Sequence, residues 1–269
     1  AALPLYGVSV EELGLEPPPL DTGQRVGPVI VLNRAEHPSI TVVNNLPEPT
    51  SMHWHGIDGE SLYDGVPGFS GVKPTPVRGE PLPPLALAPL IAPGDSFDVR
   101  LAPTRTGTFA YHASVSIARQ ERAGIVGAIV VTERNKYDVT KELTVLVSSP
   151  SDSIVEEQAV LVNGSLMPAP VDLRRGATYR FRLLNFTTGR PDVVVELRQD
   201  STTIATWRPA ARDGNELPPT DRLLQVARLN LSIGQIRDVE FVALRASEMR
   251  LEIKTPAGLL LATLPIRVF

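Results

Sequence analysis

Short apolar runs, each closed off by proline or glycine, dominate this chain and leave little room for long helices. Residues 29–33 read VIVLN, 39–44 SITVVN, 107–112 GTFAYH, 124–132 GIVGAIVVT and 142–148 ELTVLVS. Further runs at 96–101, 159–162, 178–184, 192–198, 203–207, 236–242 and 249–254 carry the same character. Turn-forming stretches such as NNLPEPT, NGSLMPAP and RDGNELPP separate them. No sustained 3.6-residue period appears, so the pattern predicts an all-β chain of short strands packed as sandwiches. One helical turn is expected near 117–123. Residues 64–94 hold a dense proline and glycine tract, expected to form a long, lid-like loop.

The chain has 269 residues, enough for two domains with a core each. The polar stretch 133–141, ERNKYDVTK, marks the expected boundary. Residues 1–135 then form one sandwich and 136–269 a second in tandem.

Several function classes are excluded early. A formal net charge of −4 and the absence of a basic stripe interleaved with aromatics argue against nucleic acid as a partner. No apolar run approaches the roughly 20 residues of a membrane-spanning helix. Residues 1–10 lack a charged region followed by an apolar one, which leaves a mature, trimmed or cytosolic chain as open readings. There are no cysteines. Disulfides, zinc–thiolate sites, cysteine nucleophiles and a blue-copper centre, which needs a thiolate, are therefore absent. No P-loop, dinucleotide fingerprint or nucleophile elbow is present. The sequons at Asn163, Asn185 and Asn230 are short enough to arise by chance, and Asp213-Gly214 reads as a turn.

The chemistry concentrates at His53-Trp54-His55-Gly56. Alternate side chains of a strand share a face. His53 and His55 should point together while Trp54 packs the other way. Two imidazoles on one face suit copper, zinc, iron or nickel.

The run 41–71, TVVNNLPEPTSMHWHGIDGESLYDGVPGFSG, resembles the first copper-binding segment of multicopper oxidases. Residues 107–112, GTFAYH, resemble that family's second segment, followed by Gln120 and GIVGAIVV at 124–131. Residues 160–254, with VNGSLMPAPVDLRRGATYRFRLLN, look like the family's copper-free sandwich. The resemblance implies two cupredoxin-like Greek-key sandwiches. It implies copper ligation by His53, His55 and His112, with zinc as the alternative ion, and a proton-relay role for Asp64, whose other reading is a turn-capping residue before Gly65. It further implies a periplasmic or extracellular protein and trimeric assembly, as in two-domain relatives.

The departures from the pattern shape the functional expectation. Where the family's second segment ends in a further histidine, this chain has Ser114, and the family's later histidine segments are absent. His37, beside Pro38, is expected at the surface. A complete cluster shared between two domains cannot be built from these residues, in one copy or in a homotrimer. Three readings follow. The chain is a copper-dependent oxidoreductase remnant holding one ion, a fragment of a larger copper oxidase that lacks its complementary domain, or a copper-free scaffold acting in assembly or binding.

Overall fold

A computed structural model of the chain describes residues 8–10, 26–72, 85–134, 136–151, 158–190 and 192–269. Among these residues the regular structure is mostly strand, and the six-residue α-helix Ile117–Arg122 stands where the helical turn is expected.

In the leading half a four-stranded sheet forms around Gly107–Ala113. That strand pairs antiparallel with Met52–His55 on one side and with Val126–Thr132 on the other. Ile30–Asn33 adds a parallel edge to Val126–Thr132. A second layer comes from Ser39–Val43 paired with Ser96–Arg100. Between the layers lies a core of Leu32, Trp54, Val99, Leu101, Phe109, Tyr111, Ile129 and Val131. Burying such side chains contributes roughly 1.5–3 kcal/mol each.

The other half stacks a seven-stranded sheet on a five-stranded one. Thr178–Phe186 is central to the first, between Glu142–Ser148 and Ile236–Val242. Ser247–Lys254 is central to the second, between Asp192–Arg198 and Leu260–Val268. Trp207, Phe181, Leu197 and Leu251 lie fully buried between the sheets. Every strand pairing among the described residues stays within 30–132 or within 142–268.

The two halves meet through an apolar patch. Ala110, Val126 and Ala128 of the first sheet pack on Leu146, Leu184, Phe186 and Ile236. This is why Gly107–Ala113 is buried on both faces rather than alternating: Phe109 and Tyr111 enter the leading core, while Thr108 and Ala110 face the second half.

Several elements differ from the sequence reading. The tract at 64–94 is not one open loop. Ser61–Asp64 forms a 3-10 turn, and Gly71–Val72 pairs with Ala86–Leu87 as a small hairpin. The lid expectation for 73–84 lies outside the described residues. The strand expected at 203–207 runs instead over Thr206–Arg212, with a register shift between Pro209 and Ala211 that absorbs the proline. Leu260–Val268, Arg228–Ser232 and Val171–Leu173 are strands that the sequence reading did not anticipate. Pro265 disguises the first of these. It stands just before Ile266, where the parallel pairing with Val171 begins, so that edge asks no donor of it. Asp213 and Gly214, both at positive φ (47° and 74°), make the expected turn between Thr206–Arg212 and Asn215–Glu216.

Candidate metal centre

The pairing register sets the site. His53 lies directly opposite His112, and Trp54 opposite Tyr111. Trp54 and Tyr111 turn into the core, which sends His53, His55 and His112 out of the other face together. Their ring centroids are 5.2 Å (His53–His112), 5.6 Å (His55–His112) and 5.7 Å (His53–His55) apart. One ligand nitrogen from each ring lies within 4.8 Å of the other two. Tetrahedral bonds of about 2 Å to a single ion want nitrogens about 3.3 Å apart, so the rings fit one ion after inward movement of about an ångström. Among the described residues, no other group of three or more histidine or carboxylate side chains approaches so closely.

Each ring is held from behind. His53 Nδ1 lies 2.8 Å from the Asp64 carbonyl and 3.3 Å from Asp64 Oδ1. A donor there carries its proton on Nδ1 and leaves Nε2 free. Asp64 closes the 3-10 turn, and Gly65 follows at φ 81°. A side chain at Gly65 would strike the Met52 carbonyl at 1.8 Å, so glycine is what lets this turn press against His53. Asp64 Oδ2 also accepts from Ser70 Oγ at 3.0 Å.

His112 Nδ1 faces Glu121 Oε1 at 2.8 Å and the Ala113 carbonyl at 2.9 Å. Its Nε2 is buried and meets no hydrogen-bond partner among the described residues. A buried imidazole nitrogen left bare costs free energy unless something binds it. That orphaned atom, beside two further imidazoles, is the donor set a copper or zinc ion takes.

His55 is packed against Phe186 and lies close to Gly234, both from the second half. Burial, then the neighbouring His112 and His53, push its pKa down to about 4, against opposing pulls from Asp213 and a Gly234 backbone hydrogen bond. It is therefore neutral at neutral pH, the form that ligates metal. Phe186 also packs on His112, at a centroid distance of 5.3 Å.

Ser114 does not join the trio. Its hydroxyl lies 2.5 Å from Ser51 Oγ and donates to the Gly65 carbonyl at 2.9 Å. His37 is exposed, as expected. Of the sequons, Asn185 is fully buried, the Asn163 side chain bonds backbone at Leu146 and Thr144, and Asn230 is exposed.

Sequence reasoning did not single out Glu121, Phe186 or Gly234. Glu121 stands nine positions beyond His112 on the short helix, with no strand periodicity linking them. Phe186 and Gly234 reach the rings only through packing of the two halves.

The sequence profile of a multicopper oxidase family matches residues 21–78 and 84–136. Laccase-1 of Emericella nidulans is 30% identical over 149 residues, 55% of this chain and 21% of its own length. Copper resistance protein A of Escherichia coli is 30% identical over 128 residues, 47% of this chain and 18% of its own. The chain thus spans about a fifth of the length of these curated relatives. A solved multicopper oxidase structure superposes with a TM-score of 0.72 at 19% identity, covering 91% of this chain and 79% of its own. That likeness establishes the cupredoxin fold.

Proposed function

We propose, for a chain that belongs to the multicopper oxidase family as a laccase-like cupredoxin-domain protein, that His53, His55 and His112 bind a single copper ion, with zinc as the alternative. The observation that carries this reading is the convergence of three imidazoles, one presenting a buried, unpartnered Nε2. Copper there would supply one-electron redox chemistry. The remaining work falls to the chain's own side chains. Asp64 holds the His53 ring and, with its carboxyl 42% exposed, carries protons between that ring and solvent. Phe186 keeps water from one flank of His55 and His112. The residues divide as 1–135, bearing the ligands, and 136–269, bearing none.

Full reduction of O₂ is not expected of this chain alone, because the family's complementary histidines have no counterpart among its four. A second reading makes the chain a fragment of a larger copper oxidase, in the periplasm or outside the cell, whose complementary domain supplies them; a trimer of this chain alone would not, since every copy lacks the same histidines. The short share of the relatives that the chain spans favours it. The copper-free scaffold reading is disfavoured by His112, whose ring faces His53 rather than turning away.

Calorimetric titration with Cu²⁺ and Zn²⁺, beside elemental analysis of the purified protein, tests the assignment. One ion per chain, with tight binding lost in His55→Ala, is the expected result. No ion bound, or binding unchanged in His55→Ala, overturns it.

A further inference from the structure

We infer that Glu121 is the counter-charge of the histidine site: a positioning residue that holds His112 with Nε2 forward and makes the site favour a divalent over a monovalent cation. The inference rests on the metal reading above.

Glu121 belongs to the last turn of Ile117–Arg122, which packs against Gly107–Ala113. Its side chain is 6% exposed, and His112 is the ion-pair partner found for it among the described residues. An isolated carboxylate taken out of water is costly. A neutral imidazole N–H is a weak recompense for it. A cation bound at His112 Nε2 changes the balance, because the ring conducts the carboxylate's pull to the far nitrogen and raises its basicity.

The Ala113 carbonyl, 2.9 Å from the same Nδ1, separates two roles that Glu121 could have. The carbonyl already favours the proton on Nδ1. If tautomer and ring orientation were all that mattered, Glu121 would be nearly redundant. What the carbonyl lacks is full negative charge. Charge acts in proportion to the charge of the bound ion, so the contribution of Glu121 should be larger for Cu²⁺ or Zn²⁺ than for Cu⁺. Around the trio, Asp64 leans on His53 and Asp213 acts on His55 from farther off, but the carboxylate that faces His112 is Glu121.

Glu121→Gln keeps the shape and an acceptor for Nδ1 while removing the charge. The expected results are Zn²⁺ and Cu²⁺ affinities weakened by about 10–100-fold, measured by competition with chelators. Cu⁺ affinity should fall by a smaller factor, and Glu121→Asp should recover part of the loss. The metal-free Glu121→Gln protein should melt no lower than the parent, since an under-compensated buried charge has gone. A merely structural glutamate would give the opposite, a lower metal-free melting temperature with unaltered selectivity, and that overturns the inference. Equal weakening for Cu⁺ and Zn²⁺ also overturns it. If the parent binds neither ion, the metal reading fails and takes this inference with it. If the parent binds and Glu121→Gln matches it, the metal reading stands and the role of Glu121 alone falls.

Discussion

Thr108 and Asp238, 130 positions apart, meet at the junction of the two halves, with the Thr108 hydroxyl 2.8 Å from both carboxylate oxygens. Arg182 reaches the same point, donating through Nη1 to Thr108 Oγ1 at 2.5 Å and to Asp238 at 2.9 Å, while Arg180 donates to Asp238 through Nε at 2.9 Å. Glu142 takes the other edge of Arg182. The charges of this network, 1% exposed at Asp238, all belong to the second half, and the buried Thr108 hydroxyl ties the leading half to them in this alignment. The same alignment delivers Phe186 and Gly234 to His55.

Asp238→Ala should therefore be among the most damaging single changes outside the cores. It strands Arg182, 6% exposed, with one carboxylate partner instead of two. Breaking a buried pair from one side costs about 3–5 kcal/mol. Urea unfolding should show that loss, and if the junction also positions the site, Zn²⁺ affinity should drop in parallel. Stability within about 0.5 kcal/mol of the parent would mean that the network contributes little net.

Gly127→Ala tests the packing behind the site. A Cβ there would sit 2.3 Å from Tyr111 Oη, whose hydroxyl donates to the Pro28 carbonyl at 2.7 Å. Tyr111 is 1% exposed and has no free volume to move into. Overpacking of this kind costs about 1–3 kcal/mol. Gly59→Ala is the matched control, since nothing among the described residues lies within 4 Å of its Cβ position. Thermal melts should separate the two variants, and coincident melts would contradict the packing argument.

How far the sequence carries is visible in these residues. The period-2 alternation of His53-Trp54-His55 is a local property of extended chain, and it survives folding intact. His112 is legible through the resemblance, and the register then sets it opposite His53. Glu121 is not legible, because a helix docked on a strand obeys neither period. Phe186 and the Thr108–Asp238 contact depend on how two sandwiches pack, which pattern along one chain does not encode. The hairpin Gly71–Val72 with Ala86–Leu87 is hidden for another reason: two-residue strands are too short to alternate. Leu260–Val268 is obscured by Pro265, whose tolerance depends on where the neighbouring strand happens to begin.

Lys254 offers a pH-dependent test on the outer face of the five-stranded sheet. Its Nζ lies 2.7 Å from Glu196 Oε2 and 2.6 Å from Glu252 Oε2, and both carboxyls are nearly buried, at 5% and 7% exposure. Burial pulls both carboxyls up, but hydrogen bonds from Lys254, with Arg198 on Glu196 and Arg250 on Glu252, outweigh it and hold both below the usual carboxylate range. A carboxyl held low in the folded state adds stability above its unfolded pKa, near 4.3, and loses it as pH falls through the folded value. Lys254→Met removes the shared cation and leaves burial less opposed. Because Arg198 and Arg250 remain, the loss at pH 7 should be about 2 kcal/mol, short of the 3–5 kcal/mol of a wholly uncompensated buried charge. As pH falls below the unfolded carboxylate range and through the lowered folded values, the parent's carboxylates protonate too, so the gap between parent and variant should narrow. Denaturant melts at pH 7 and pH 3 measure both ends. A gap that persists or widens in acid would show that Lys254 acts through the packing of its methylenes rather than through its charge.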